Sequence, residues 1–199
     1  MRSVALKTPL SEQDVRDLRV GGVIHLSGEI VLARDRAHQR LLEFAKTRTS
    51  PPFRLEGSAI YHCGPLVRKV AEGWRILSAG PTTSMRMEPF EADAIGRFGV
   101  RMIIGKGGMG PSTAKAMGDF GAVYCAAPGG AGALLTKSVK EVKGVEWLDL
   151  GITEAVWLLD VEEMGPLIVA MDSHGNNLYE EISGGSENPP TQGISNQVR

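Results

Sequence analysis

The chain has 199 residues, 42% of them hydrophobic, and a formal net charge of −1. That length and apolar content suit a single domain with one substantial core, and the near-neutral balance excludes nucleic-acid or polyanion binding by bulk electrostatics. Two cysteines, Cys63 and Cys125, exclude a disulfide framework or a metal-knuckle spacing and fit a reducing cytoplasm.

Met1–Lys7 lacks the apolar run of a secretory signal, so none is expected. Ser11 reads as a helix cap with Asp14 adding negative charge to the first turn, and Gly21-Gly22 ends that element. Val23–Leu26 is a short strand that stops at Ser27-Gly28. A helix is expected over Ala33–Arg48, with Ala37, Leu41, Phe44 and Ala45 on one face and Pro51-Pro52 as the stop. Ala59-Ile60-Tyr61 reads as a strand closed by Gly64-Pro65. An apolar run through Trp74, Ile76 and Leu77 leads into the loop Ser78–Met87, and a helix follows over Glu88–Phe98. Arg101–Ile104 is a strand that runs into Gly105–Gly110, and Pro111–Phe120 is a helix with proline in its first turn. Ala122–Cys125 reads as a buried strand and 129–139 as a glycine-led helix. The uncharged stretch 122–136 is too short, and too broken by Pro128 and glycines, to span a bilayer. Trp147-Leu148 and Leu167–Met171 read as late strands. The alternation predicts an α/β domain with a partly parallel sheet over 1–182, and the polar composition of 183–199 predicts a disordered tail.

The loop Ser78-Ala79-Gly80-Pro81-Thr82-Thr83-Ser84-Met85-Arg86-Met87 carries three consecutive hydroxyls and an arginine between a strand and a helix. In open α/β folds such loops lie at the carboxyl end of the sheet, where ligands bind. Cations recur at similar junctions: Arg34 comes six residues after Gly28, Arg86 six after Gly80, and Lys106 directly after Gly105. A positive charge near a helix N-terminus is mildly unfavourable. Three in a near-neutral chain point to a shared anion, and two guanidiniums and an ammonium suit a small dicarboxylate, at roughly 1.5–3 kcal/mol per charge-assisted bond. The plain alternative is three solvated cations. Gly105-x-Gly107-x-x-Gly110 fits a dinucleotide fingerprint literally, but the following strand ends at Cys125-Ala126-Ala127 without the acidic residue such a site needs. His38, one turn after Arg34, has the spacing to orient it or a ligand. His174 reads as part of a polar turn, His25 and His62 as structural, and Met85, Met87, Met102 and Met109 as core filler.

These segments, together with Leu32–His38, Ile104–Met109 and Met171–Leu178, resemble the β subunit of two-subunit iron–sulfur hydro-lyases, the class I fumarate hydratase and L(+)-tartrate dehydratase group, over about residues 4–181. The resemblance implies a swivelling β/β/α domain that closes over an active site carried mostly by a separate α subunit. That subunit would hold a [4Fe-4S] cluster whose open iron acts on the departing hydroxyl, in an αβ or α2β2 assembly with no nucleic acid or membrane involved. It assigns Arg34, Arg86 and Lys106 to the substrate carboxylates and hydroxyl, makes Thr82, Arg86 and Lys106 catalytic, and leaves Asp35, His38 and Thr83 in support. No metal is assigned to this chain. The implied reaction is reversible hydration of fumarate to (S)-malate, preferred because it serves central metabolism in the tricarboxylic acid cycle. L-tartrate dehydration to oxaloacetate is the alternative, and a non-catalytic anion-binding module is the reading outside the enzyme class.

Overall fold

A computed structural model describes residues 3–128, 130 and 132–180. The expected tail at 183–199 lies outside the described residues. The strands are β1 (Ser3–Lys7), β2 (Val23–Ala33), β3 (Ala59–His62), β4 (Leu66–Val70), β5 (Gly73–Ser78), β6 (Met102–Gly105), β7 (Val123–Ala126), β8 (Val139–Glu146) and β9 (Val156–Met171). The α-helices are α1 (Glu12–Arg16), α2 (Asp35–Thr47), α3 (Glu88–Phe98), α4 (Pro111–Phe120) and α5 (Gly132–Leu135), and a 3-10 turn over Ser84–Met87 leads into α3.

The main sheet has the order β1-β2-β3-β6-β7-β9-β8; β1, β2, β3, β6 and β7 pair in parallel, and β9 pairs antiparallel with β7 and β8. β9 pairs with β2 as well as β7, so β2, β3, β6, β7 and β9 form a ring. Period-two alternation sorts the strand residues between its faces. Ile30, Leu32, Tyr61, Ile104, Cys125, Trp157 and Leu159 pack in the inner cluster. Val31, Ala33, Ile60, Ile103 and Tyr124 pack outward against α2, α3 and α4. The α/β class and partly parallel sheet are as expected.

Several local expectations hold for the reasons given. Ser11 and Asp14 form a reciprocal capping box, and Pro111 opens α4. Others need correction. β2 does not stop at Gly28; it continues to Ala33, with Gly28 at a register shift and a φ of 96°. A Cβ at Gly28 would lie 2.5 Å from Thr8 Oγ1, so this glycine admits a neighbouring chain and marks no strand end. Arg34 is therefore at the strand exit itself. β5 belongs to a separate two-stranded hairpin with β4 and not to the main sheet. Trp147-Leu148 is no strand: Trp147 has a φ of 59°, stacks on Phe44, and follows β8, whose alternating charges masked it in the sequence. The helix expected to Val139 is only α5 and a 3-10 turn over Thr136–Ser138. Met85 is exposed, whereas Met87, Met102 and Met109 are buried.

Candidate active site

Arg34 occupies the N-cap of α2 in extended conformation, with no side-chain cap bond. Its guanidinium Nε lies 3.1 Å from Asp35 Oδ2 and 3.0 Å from Glu154 Oε1. Gly64 makes room for it, because a Cβ there would approach Arg34 Cδ to 2.9 Å.

The loop after β5 is fastened in three places. The Tyr61 hydroxyl donates to the Ala79 carbonyl at 2.7 Å. The Thr82 amide donates to the His62 carbonyl at 2.8 Å, and the Ser84 amide to the Lys106 carbonyl at 2.9 Å. Thr83 forms a parallel bridge with Lys106. A loop from the hairpin is thereby laid along the carboxyl ends of β3 and β6, the location expected although the strand that feeds it is outside the main sheet.

Arg86 then forks onto Asp35, Nε to Oδ1 at 2.9 Å and Nη2 to Oδ2 at 2.6 Å, and Nη2 also donates to Thr82 Oγ1 at 3.2 Å. Asp35 thus bridges the two arginines. Its burial raises the carboxyl pKa, but the bonds from Arg86 and Arg34 outweigh that, and the net direction is down. Part of the anion that the clustered cations called for is the protein's own: Asp35 and Glu154 offset two of three positive charges. What remains open is specific. Both terminal nitrogens of Arg34 and Nη1 of Arg86 make no hydrogen bond among the described residues, and the exposed Lys106 ammonium has no partner there.

His38 does not reach this surface. It is fully buried with His62 and Glu91. Glu91 Oε2 lies 2.9 Å from His62 Nε2 and 3.2 Å from His38 Nε2. His38 Nδ1 is 3.0 Å from the Arg34 carbonyl, which can only accept, so Nδ1 carries a proton. Its Nε2 faces a carboxylate, so His38 is the imidazolium of the cluster. His62 Nδ1 lies 2.9 Å from Ser84 Oγ, which is 3.0 Å from the Tyr124 hydroxyl, and a neutral His62 accepts from that chain. Burial disfavours charge on both histidines. Glu91 outweighs it at His38, whose pKa is raised, and fails to at His62, which the His38 charge also opposes and whose pKa is lowered. Burial raises Glu91, yet the two imidazoles hold it down at about 2. The donor atoms lie within 4.8 Å of one another, a spacing within reach of an ion; one hydrogen bond from His62 and one ion pair with His38 join them, and Glu91 Oε1 and His38 Nε2 make no hydrogen bond among the described residues.

A group whose folded pKa is raised stabilises below its unfolded value and loses that contribution as pH rises through the folded one. Besides Glu91, His38 feels His62, Asp35 and the Arg34 carbonyl. Urea unfolding is expected to show stability falling above the ordinary histidine value of 6.5, by at most about 1.4 kcal/mol per pH unit from this group. A His38→Gln chain should lose that component; an identical pH profile in both would contradict the assignment.

Sequence reasoning missed Glu154, Glu91 and Ser84 and read His62 as only structural. Glu91 did carry a signal: with Met87, Ala94 and Ile95 it lies on the buried face of its helix. His174 is in the expected turn, where Asp172 accepts from the His174 and Asn176 amides, and its ring meets the Arg16 carbonyl. At the glycine loop Glu88 occupies the α4 N-terminus, where a pyrophosphate would otherwise sit, accepting from the amides of Gly110, Ser112 and Thr113.

Comparison with known proteins gives the family. A family model described as Fumarase C-terminus matches residues 1–182. The L(+)-tartrate dehydratase subunit beta of Escherichia coli K12 is 46% identical over 88% of this chain and 86% of its own length. A putative L(+)-tartrate dehydratase subunit beta of Methanocaldococcus jannaschii is 50% identical over 87% and 90%. A putative class I fumarate hydratase of Geobacillus stearothermophilus is 41% identical over 91% of this chain but only 34% of its own length. With a match across nearly all of its described length and relatives this similar, the chain belongs to the Fumarase C-terminus family.

Proposed function

We propose that this chain is the β subunit of an iron–sulfur hydro-lyase and supplies the dicarboxylate clamp for reversible hydration of fumarate to (S)-malate. The observation that carries this reading is the pair of arginines joined by Asp35, with guanidinium nitrogens left open among the described residues, on a loop whose Thr83 and Ser84 bond the Lys106 backbone. Arg34 and Arg86 offer flat donors to carboxylates, and Lys106 adds a mobile point charge. When the proton beside a carboxylate leaves, charge builds on that carboxylate, and cations already fixed there stabilise it without reorganising. Thr82 stands where the Arg86 guanidinium donates to its hydroxyl, which favours charge on that oxygen and suits it to proton transfer. Asp35 and Thr83 hold the clamp from the side, through the Arg86 fork and the bridge to Lys106.

The cluster named for this class does not fit the residues of this chain. Cys63 and Cys125 are both buried, and burial pushes each thiol up to about 12, whereas clusters take thiolates, commonly four and at least three. The [4Fe-4S] cluster is assigned to an α subunit, in an αβ or α2β2 assembly in the cytoplasm. No helix among the described residues is long and apolar enough to cross a membrane.

The relatives named tartrate dehydratase favour a second reading, L-tartrate dehydration to oxaloacetate, which would use the same clamp. Anaerobic co-expression with the α subunit, followed by parallel assays, separates the two. Malate formed from fumarate supports the first reading, oxaloacetate formed from L-tartrate alone supports the second, and turnover of neither overturns both.

A further inference from the structure

The buried cluster beneath the clamp has a connectivity that its burial alone does not require. We propose that Glu91 is a positioning residue: one carboxylate, held between His38 and His62, fixes the Arg34 turn and the Thr82–Arg86 turn in a common frame. The inference rests on the clamp reading above.

Each link is a direct contact. From Glu91 Oε2 one branch runs 3.2 Å to His38, whose Nδ1–H reaches the Arg34 carbonyl at 3.0 Å. The other runs 2.9 Å to His62, whose own carbonyl accepts the Thr82 amide at 2.8 Å and whose ring meets Ser84 Oγ at 2.9 Å. Ser84 is anchored in turn by the Tyr124 hydroxyl at 3.0 Å, and its amide bonds the Lys106 carbonyl at 2.9 Å. Arg34, Thr82 and Lys106 are thus each one backbone bond from the network, and Arg86 lies two residues beyond Ser84. The two turns come from separate parts of the chain, and Glu91 is on the outward helix α3, which the second of them leads into.

A carboxylate is suited to this post because one oxygen accepts the His62 Nε2–H at 2.9 Å and its charge faces the His38 imidazolium at 3.2 Å. His38 and His62 meet edge to face with ring centroids 5.1 Å apart, which leaves each ring little freedom except through Glu91. An apolar side chain of equal size would leave both imidazoles facing hydrocarbon, and the turns would relax independently.

The test uses the assembled αβ enzyme with whichever substrate the wild type turns over, and succinate as an inert diacid. In Glu91→Leu, KM and the succinate inhibition constant should both rise at least about tenfold, the scale on which small misplacements act. Hydrogen exchange on the full β chain should show the Thr82 and Ser84 amides losing protection while the β2–β9 ladder keeps it. Glu91→Gln, whose carbonyl oxygen can take the Oε2 position and face the N–H groups of His62 and a protonated His38, should restore KM to within about threefold of wild type. If Glu91→Leu does not fold, Glu91→Asp carries the test, because its shorter arm reaches one imidazole and not both, and the same rise is expected. An unchanged KM and inhibition constant in the folded variant, even with lower turnover, overturns the positioning role, as does a Gln variant as impaired as Leu. A wild-type complex inactive on both substrates marks failure of the clamp reading instead.

Discussion

Replacing Arg86 with alanine should lower turnover of the assembled enzyme by about two orders of magnitude or more, the usual effect of deleting a preorganised charge partner. Subunit assembly and folding should persist, because the Arg86 side chain is 45% exposed and belongs to neither core cluster. Two losses combine. The substrate carboxylate loses a fixed donor, and Asp35 loses the fork that holds its charge inward. A carboxylate freed beside Arg34 would compete with the substrate for the remaining guanidinium. Arg86→Lys keeps the charge but cannot reproduce the fork, so it should recover only part of the loss. Lys106→Ala should fall as far by the simpler route, since its ammonium releases no protein partner among the described residues. The check is steady-state kinetics on reconstituted complexes, with assembly confirmed by size exclusion. Near-normal kinetics in either alanine variant would remove that residue from the clamp.

Gly105→Ala is expected to be the most damaging glycine-to-alanine change among the described residues. A Cβ at Gly105 would lie 1.9 Å from Ser84 Oγ and 3.3 Å from His62 Nδ1. Ser84 has no room to step aside, being fully buried with its hydroxyl bonded to both His62 and Tyr124. Rotating it away breaks both bonds and leaves two buried polar groups unsatisfied, at about 1–3 kcal/mol each. For a domain of this size that corresponds to a fall in melting temperature of roughly 5–20 °C. Pairing the substitution with Ser84→Gly, which clears the space, should recover part of the melting temperature. A Gly105→Ala chain melting with the wild type would mean that the packing around Ser84 is looser than described.

Both expectations depend on contacts between distant parts of the chain, and that is where the sequence was hardest to read. The proline opening α4 and the cap at Ser11 were legible because turn and cap chemistry acts over a few residues. Gly28 misled for the same reason: a glycine reads as punctuation, whereas here it accommodates Thr8 from a neighbouring segment. β8 was hidden because its lysines and glutamates alternate with valines on an exposed strand. Glu91 was passed over because a lone glutamate in a helix is ordinarily solvated, and only its place on the apolar face marked it.

Residue identity, by itself, determined that cations and hydroxyls gather where strands give way to helices, because those junctions are written in local turn formers. It also ruled out a cluster of cysteine ligands by count. The tertiary structure alone decided what those cations face. Asp35 reaches Arg86 across 51 positions, and Glu91 reaches His62 across 29, because β2, β3 and β6 end side by side and the loop after β5 is laid across those ends by its bonds to His62 and Lys106. Local propensity sets the backbone at each turn, but pairing between turns depends on strand order and register, which is a property of the whole ring.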